Sequence, residues 1–195
     1  VKPGLNILLT PYDDLYINNQ ILPIGNLREF KSGAERADIV IVSHSPLDLD
    51  EKGKNKIVEE LQLKPYQKLF FSQLQYLQMY QVFQQGFERV SLPKESKILL
   101  LTGIANNSKI KKFLESQFDD VYTRAFSDHY TYQQQDIESI ITTYKDLPGE
   151  QKHIVTTEKD FTRLLPFQNL FNKAGIKVFC LPIKVNFAGE EKQKF

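Results

Sequence analysis

Short apolar runs alternate with amphipathic stretches along most of this chain. Continuous runs rich in β-branched residues predict strands that are buried on both faces of a parallel sheet. The predicted strands are residues 5–10, 39–43, 97–102, 120–126, 154–157 and 177–182. The segment at 120–126 is more polar than the others, so it indicates a less buried position in the sheet.

Helical spacing of apolar residues marks three segments between these strands. One covers residues 48–63, and another covers 132–146 and is ended by Pro148 and Gly149. The third is predicted to begin with Ser108 as its cap, because Ile110, Phe113, Leu114 and Phe118 then lie on one face. Strands that alternate with helices predict an α/β fold of three layers, α/β/α, with mostly parallel sheets.

The stretch from 68 to 93 differs from its surroundings. Phe70, Ser72, Leu74 and Tyr76 alternate with other side chains at the period of a strand, and glutamine is frequent. We therefore expect an extended, antiparallel ribbon with a turn near Gln85. A ribbon between two α/β blocks suggests a linker, so a domain boundary is predicted between residues 65 and 90.

The balance of charge excludes one class of function. With 25 Lys and Arg against 24 Asp and Glu, the chain lacks the basic excess that nucleic-acid binding requires. Cys180 is the only cysteine, which excludes an intrachain disulfide. There is no apolar run of the length that spans a bilayer and no secretory signal. Because the chain opens at Val1 and runs directly into a strand, we expect it to be part of a longer protein.

Four polar clusters lie where a ligand of an α/β sheet would bind. In the segment 22–29, Arg28 could clamp a phosphate and Glu29 could contact a metal ion. The alternative is a surface ion pair. In the segment 102–106, Gly103 could allow a close approach of a ligand, although there is no phosphate-loop pattern. The alternative there is an ordinary turn between a strand and a helix.

The other two clusters are candidates for proton transfer and for phosphate or sugar contacts. Asp128 and His129 lie together at a predicted strand end, where an imidazole could take part in proton transfer. Asp128 could equally be the cap of the next helix. The cluster at 156–160 suits phosphate or sugar contacts, and its alternative is helix capping with charge pairing. From the residues alone, only a ligand-binding α/β module is indicated.

These clusters, in this order, resemble a known family, the tetraacyldisaccharide 4'-kinases. The family pattern Leu-Pro-x-Gly-x-Leu-Arg-Glu is matched at 22–29, and its Ala-Asp strand at 37–42. A Gly-Ile-Ala-Asn turn follows at 103–106, then Phe-x-Asp-His at 126–129 and Thr-Glu-Lys-Asp at 157–160. The opening at 1–5 is similar to the segment that follows the family's Asp-Asp-Gly-Phe-Gln motif. The resemblance extends through essentially the whole chain.

The resemblance implies an enzyme that transfers the γ-phosphate of ATP, with Mg²⁺, to the 4'-hydroxyl of tetraacyldisaccharide 1-phosphate in lipid A biosynthesis. It implies that His129 partners a catalytic aspartate, that Asp128 helps to place His129, and that Arg28 and Glu29 face the nucleotide phosphates, with Glu29 near the metal. It also implies two α/β/α lobes joined by a two-stranded ribbon. Residues 1–66 would be the remainder of the amino-terminal lobe, 67–93 the ribbon, and 94–195 the carboxyl-terminal lobe.

The sequence also departs from the family pattern. The Walker-type loop, the catalytic aspartate and the aspartate pair for the metal are not found in it, so we expect this chain alone to be inactive. The family implies a peripheral position on the cytoplasmic face of the inner membrane of Gram-negative bacteria, through an amino-terminal contact that this sequence lacks. We expect the chain itself to be soluble. Rival interpretations are a non-catalytic sugar- or nucleotide-binding module and a glycosyltransferase-like enzyme that uses Asp128 and His129.

Overall fold

A computed structural model describes residues 3–84, 86, 88–104 and 106–187 of the chain. Within these residues, nine strands and five α-helices follow one another in two groups. The strands are β1 (Ile7–Pro11), β2 (Ile39–Ser43), β3 (Lys68–Tyr76), β4 (Tyr80–Gln81), β5 (Lys97–Thr102), β6 (Asp120–Ala125), β7 (Lys152–Thr156), β8 (Val178–Cys180) and β9 (Ile183–Phe187). The helices are α1 (Glu51–Leu61), α2 (Ser108–Gln117), α3 (Gln134–Asp146), α4 (Glu158–Leu164) and α5 (Gln168–Lys173).

The chain forms two compact units. The first contains the described residues up to Gln75 and the segment from Ile183 onward, and the second is Tyr76–Pro182. The first unit has a four-stranded sheet in the order β1-β2-β3-β9, in which β1, β2 and β3 are parallel. Its core lies between one face of this sheet and α1, and its buried members are Leu15, Ala37, Val40, Val42, Ile57, Leu61 and Phe71.

The second unit has a five-stranded sheet in the order β4-β8-β7-β5-β6. The strands β5 to β8 are parallel, and β4 is an antiparallel edge. On one face, Leu99 and Leu101 pack with residues of α3, α4 and α5. On the other face, Ile98 and Leu100 pack with residues of α2. Because both faces are covered, β5 is apolar along nearly its whole length, and the unit has the predicted three layers.

The predicted fold class is confirmed, as are the strands at 39–43 and 97–102. One boundary differs: Ser108 is the first residue of α2 and not its cap, because Asn107 holds the cap position. The Ser108 amide instead donates to Oδ1 of Asn106 at 2.9 Å. Cys180 is completely buried, as expected for a core residue.

The stretch 68–93 is extended where a strand was predicted, and an antiparallel bridge joins Tyr80 to Arg89 on the two sides of the expected turn. β3 pairs in parallel with β2, and β4 pairs with β8, which lies far along the chain. Gln85, where the turn was expected, is outside the described residues. The period of a strand shows that the backbone is extended and which face each side chain takes, but it does not reveal the partner strand. The chain passes from the first unit to the second between Gln75 and Tyr76.

Candidate functional site

The carboxyl ends of three parallel strands in the second unit bring three of the four polar clusters together, those at 102–106, 126–130 and 156–160. β5 lies in the middle, with β6 on one side and β7 on the other, and these strands end at Thr102, Ala125 and Thr156. From β5 the chain passes to β6 on one side, and later to β7 on the other side. The strand order therefore reverses at β5, which makes a switch point. Ligands of open α/β sheets bind at such points.

Asp128 and His129 form the middle of a tight turn after β6. The amide of Tyr130 donates to the carbonyl of Ser127 at 3.2 Å, which closes the turn. His129 has a φ of 60°, a left-handed conformation that is uncommon for residues other than glycine and that concentrates at functional sites. Asp128 does not cap a helix, because α3 is capped by Gln133. This removes the capping alternative for Asp128.

Aromatic rings support this turn from one side. The ring centroids of Phe126 and Tyr130 are 4.8 Å apart, and those of Phe126 and Tyr132 are 5.0 Å apart. The hydroxyl of Tyr130 donates to Oδ2 of Asp136, in the first turn of α3, at 3.1 Å. The turn is therefore fixed to the helix that follows it, and the backbone of His129 is held in its unusual conformation by packing.

Two cations from α4 contact the acid and the imidazole. Lys159 Nζ donates to Asp128 Oδ1 at 2.7 Å, and this hydrogen bond lowers the pKa of the Asp128 carboxyl below its usual value. Arg163 Nη2 lies 3.3 Å from His129 Nδ1. Since a guanidinium can only donate, Nδ1 is the acceptor and the proton of the neutral imidazole is on Nε2. His129 Nε2 is 3.5 Å from Asp128 Oδ2, and its side chain is 77% exposed.

A buried carboxylate lies behind these groups. Asp160 is completely buried, and its Oδ2 accepts hydrogen bonds from the Gly103 amide at 2.9 Å and from Thr157 Oγ1 at 2.8 Å. Thr157 Oγ1 in turn accepts from the Asp160 amide, so the capping alternative for the cluster at 156–160 is present. A side chain on Gly103 would come within 3.0 Å of Asp160 Oδ1. Glycine at position 103 therefore allows the strand end to reach the carboxylate.

The segment that contains Arg28 and Glu29 lies in the first unit and is shaped by its own backbone. The amide of Leu22 donates to the carbonyl of Leu27 at 2.9 Å, and the amide of Leu27 donates to the carbonyl of Gln20 at 2.9 Å. A Cβ atom on Gly25 would lie 2.3 Å from the backbone oxygen of Gln20. Since no side chain can be accommodated at that distance, the glycine of this motif is required by the loop.

The charged side chains of this segment are exposed. Glu29 Oε2 pairs with Arg36 Nη2 at 2.6 Å, and both side chains are about two-thirds exposed at 64% and 67%. Arg28 is exposed and makes no hydrogen bond or ion pair with the residues that the structure describes. The predicted Arg28–Glu29 surface pair is therefore replaced by a pair of Glu29 with Arg36. Glu29 also lines a depression of about 510 Å³ together with Ile24, Leu27 and Phe30.

Comparison with known proteins decides the family. The family model for tetraacyldisaccharide-1-P 4'-kinase matches residues 1–195, the whole chain. The chain belongs to this family. A tetraacyldisaccharide 4'-kinase of Bacteroides fragilis strain YCH46 is 40% identical over 200 residues, covering 100% of this chain and 53% of the relative. A relative of the same name from Bacteroides thetaiotaomicron is 38% identical over 204 residues, covering 100% of this chain and 54% of the relative.

One solved structure extends the family comparison to three dimensions. It is the "apo" form of LpxK from Aquifex aeolicus in complex with ATP, with a TM-score of 0.58 and 25% sequence identity. The match covers 97% of this chain and 50% of that chain. This chain therefore spans about half the length of the curated relatives and of the solved structure that it matches.

The described part of the chain does not by itself provide a metal centre. No group of three or more His, Cys, Asp or Glu side chains there could hold a metal ion. Mg²⁺ in nucleotide enzymes commonly takes one or two carboxylates and completes its shell with phosphate oxygens and water. The predicted metal contact, Glu29, is an exposed carboxylate that pairs with Arg36. Separately, the helices of the described residues include none with the length and apolar character needed to cross a membrane.

Residues beyond the predicted set contribute to the geometry around His129. Arg163 and Tyr132 were not singled out in the sequence, and the link from Asp160 to Gly103 joins two segments 57 residues apart. One sequence signal was available: Lys159 and Arg163 are four residues apart, a spacing that places two side chains on the same face of a helix. The residues that this face contacts belong to the turn after β6, and the sequence of α4 does not identify them.

Proposed function

We propose that this chain forms the carboxyl-terminal half of an ATP-dependent kinase that phosphorylates the 4'-hydroxyl of tetraacyldisaccharide 1-phosphate, a step of lipid A biosynthesis. The family match over residues 1–195 supports the reaction class. The observation that carries the proposal is the exposed imidazole of His129, placed at the switch point of a parallel sheet. That location suits a group that acts on a ligand bound beyond the strand ends.

His129 is suited to orient a carboxylate base. Its Nδ1 accepts from Arg163, so its Nε2–H is available as a donor. In the proposed enzyme this donor holds the catalytic aspartate, which comes from outside this chain, and favours its ionised, proton-accepting form. Asp128 stays ionised because Lys159 lowers its pKa, and it limits the rotation of the imidazole. Phosphoryl transfer depends mainly on such positioning and on charge stabilisation.

Arg28 and Glu29 are proposed to serve the nucleotide. The guanidinium of Arg28 has no partner among the described residues, which leaves its five donors for phosphate oxygens. Glu29 would contribute one oxygen ligand to Mg²⁺, and the other ligands would come from the phosphates, from water and from residues beyond this chain. The LpxK structure that this chain resembles was solved in complex with ATP, which supports ATP as the phosphate donor.

The lipid substrate and the location are carried over from the family. The relatives are named for a tetraacylated disaccharide, so the substrate is an amphiphile that resides in a membrane. We propose a peripheral enzyme on the cytoplasmic face of the inner membrane of a Gram-negative bacterium, attached through its amino-terminal part. Within that enzyme, the described residues up to Gln75 and from Ile183 onward would complete the amino-terminal lobe, and Tyr76–Pro182 would form the second lobe.

A transfer assay with radiolabelled ATP tests the proposal. The complete protein that contains this chain should label tetraacyldisaccharide 1-phosphate, and the 195-residue chain alone should not. In the complete protein, His129→Ala should lower kcat by about 10²–10⁴-fold, the range for loss of a residue that assists proton transfer. The matched control is His44→Ala, which removes another exposed imidazole.

Two results would contradict the proposal. Turnover by the 195-residue chain alone would show that no further segment is needed. Full activity of the complete protein with His129→Ala would show that the imidazole has no role in the reaction, although the kinase activity itself would stand. If the complete protein binds a nucleotide sugar and does not bind ATP, the glycosyltransferase-like interpretation replaces the kinase.

A further inference from the structure

The helix α4 presents two different faces to the site, and the motif at 157–160 supplies most of their polar groups. Asp160 and Leu164 lie on the buried face. Lys159 and Arg163, also four residues apart, lie on the neighbouring face and reach the turn after β6. The structure therefore gives this motif a task beyond capping its own helix.

Arg163 connects the buried carboxylate to the imidazole. Its Nη1 lies 3.6 Å from Asp160 Oδ1, and its Nη2 lies 3.3 Å from His129 Nδ1. The two nitrogens belong to one rigid, planar group, so fixing one of them fixes the direction of the other. Asp160 is completely buried and is itself held by Thr157 and Gly103. This ion pair, in which neither atom makes a hydrogen bond with the described residues, keeps Arg163 close to the strand ends of the sheet.

Lys159 contacts Asp128, the residue next to His129 in the turn. Its Nζ is 2.7 Å from Asp128 Oδ1, while the second oxygen of Asp128 faces His129 Nε2 at 3.5 Å. The imidazole therefore has a charged group from α4 at one nitrogen, and a carboxylate anchored by α4 near the other. An exposed side chain with these two contacts loses rotational freedom that it would otherwise keep.

We propose that Lys159 and Arg163 are positioning residues for the Asp128–His129 pair, with Asp160 as their buried anchor. Arg163 presents a donor to Nδ1 of His129. The Nε2–H of the same ring is thereby kept directed toward the catalytic aspartate of the proposed enzyme. This role in catalysis rests on the proposed kinase function. The ordering of the His129 ring does not rest on that function, because it can be measured in this chain without any substrate.

The decisive variant is Arg163→Lys, measured in the full 195-residue chain. A lysine retains a positive charge for the buried Asp160, so the fold should be kept. A single ammonium group cannot reproduce the fork that spans both Asp160 and His129. The matched control is Arg89→Lys, the same substitution at an exposed arginine of the same unit.

Ring order is read by carbon-13 relaxation of the imidazole C–H groups, which are few because the chain has three histidines. We expect the His129 ring to be ordered in the parent chain and in Arg89→Lys, and mobile in Arg163→Lys at an unchanged melting temperature. Lys159→Met should mobilise the ring to a smaller extent. If His129 is equally ordered in Arg163→Lys, or is already mobile in the parent chain, the positioning proposal is overturned.

A second measurement separates this proposal from the kinase assignment. In the complete protein, Arg163→Lys should lower kcat about tenfold with the KM for ATP and for the lipid unchanged, the pattern for lost orientation. A change confined to KM would contradict positioning. If the NMR result is as expected but the complete parent protein transfers no phosphate, the proposed function fails and the ordering of His129 by α4 stands.

Discussion

The two motif segments, 22–29 and 126–130, have similar sequence signals but are built in different ways. The first is a loop closed by its own backbone, with Gly25 against the chain and with Arg28 and Glu29 exposed. The second is a turn whose side chains are held by Lys159 and Arg163 from a distant part of the chain, and by the ring of nearby Tyr132. Each segment belongs to a different compact unit.

The two segments differ in how many of the contacts of their functional side chains come from the described residues. Around His129, each contact is supplied by the same unit, so the imidazole is oriented before any ligand binds. Preorganisation of this kind lowers the cost of reaching a reactive geometry. Among the described residues, Glu29 pairs with Arg36 and Arg28 forms no ion pair, so the geometry of these two side chains depends on groups that a ligand would supply. We expect the first segment to respond weakly to substitutions of its neighbours and the second to respond strongly.

The largest effect is expected at Asp160. The change Asp160→Ala leaves the Gly103 amide and the Arg163 guanidinium without their buried partner, and should lower the free energy of unfolding by about 3–5 kcal/mol. Urea denaturation of the 195-residue chain measures this. The control Glu158→Ala removes an exposed acid from the same turn of α4 and should change stability by less than about 0.5 kcal/mol. Equal effects of the two variants would refute the assigned role of Asp160.

A smaller and local effect is expected at Gly25. A Cβ atom there meets backbone atoms of Gln20, so Gly25→Ala should open the loop at a cost of about 1–3 kcal/mol. Hydrogen exchange of the Leu22 and Leu27 amides, which close the loop, reports this directly. Gly4→Ala is the control, because a side chain at position 4 meets nothing within 4 Å. Unchanged protection of both amides would show that the loop tolerates a side chain.

The charge on Asp128 gives a test that depends on pH. Lys159 lowers the pKa of this carboxyl, so its contribution to stability is present above the unfolded-state pKa of about 3.9 and is lost as the pH falls through the lower folded value. In Lys159→Met, the pKa of Asp128 should rise, as measured by carbon-13 NMR titration of the carboxyl. Lys173→Met, on α5, is the charge-matched control. No difference between the variants would exclude Lys159 as the cause.

The smallest effect is expected at Arg36. Its pair with Glu29 is exposed on both sides, and exposed ion pairs contribute about 0–1 kcal/mol. Arg36→Met should therefore leave the melting temperature nearly unchanged while freeing the Glu29 carboxylate. A large loss of stability, comparable with that of Asp160→Ala, would contradict the contrast drawn between the two segments.

Most of the fold follows from local patterns. The run at 97–102 is apolar because both faces of β5 are covered, and the helix at 132–146 is found from Gln134 to Asp146. The prediction was less complete where a residue's role depends on a distant partner. Asp128 carries the sequence signal of a helix cap, yet it binds Lys159, 31 residues away. The pairing of β4 with β8 was also not accessible, since a strand's period does not identify its neighbour.

The sequence by itself determined the α/β class, the family resemblance and the candidate pair Asp128–His129, because these depend on residue types and on spacing along one segment. The tertiary structure decided which charges reach that pair. Arg163 and Asp160 gain their roles only when β5, β6 and β7 end at one edge of the sheet. Hydrogen bonds and ion pairs act over a few ångströms, and only the folded chain brings Gly103 to Asp160 and His129 to Arg163 within that range.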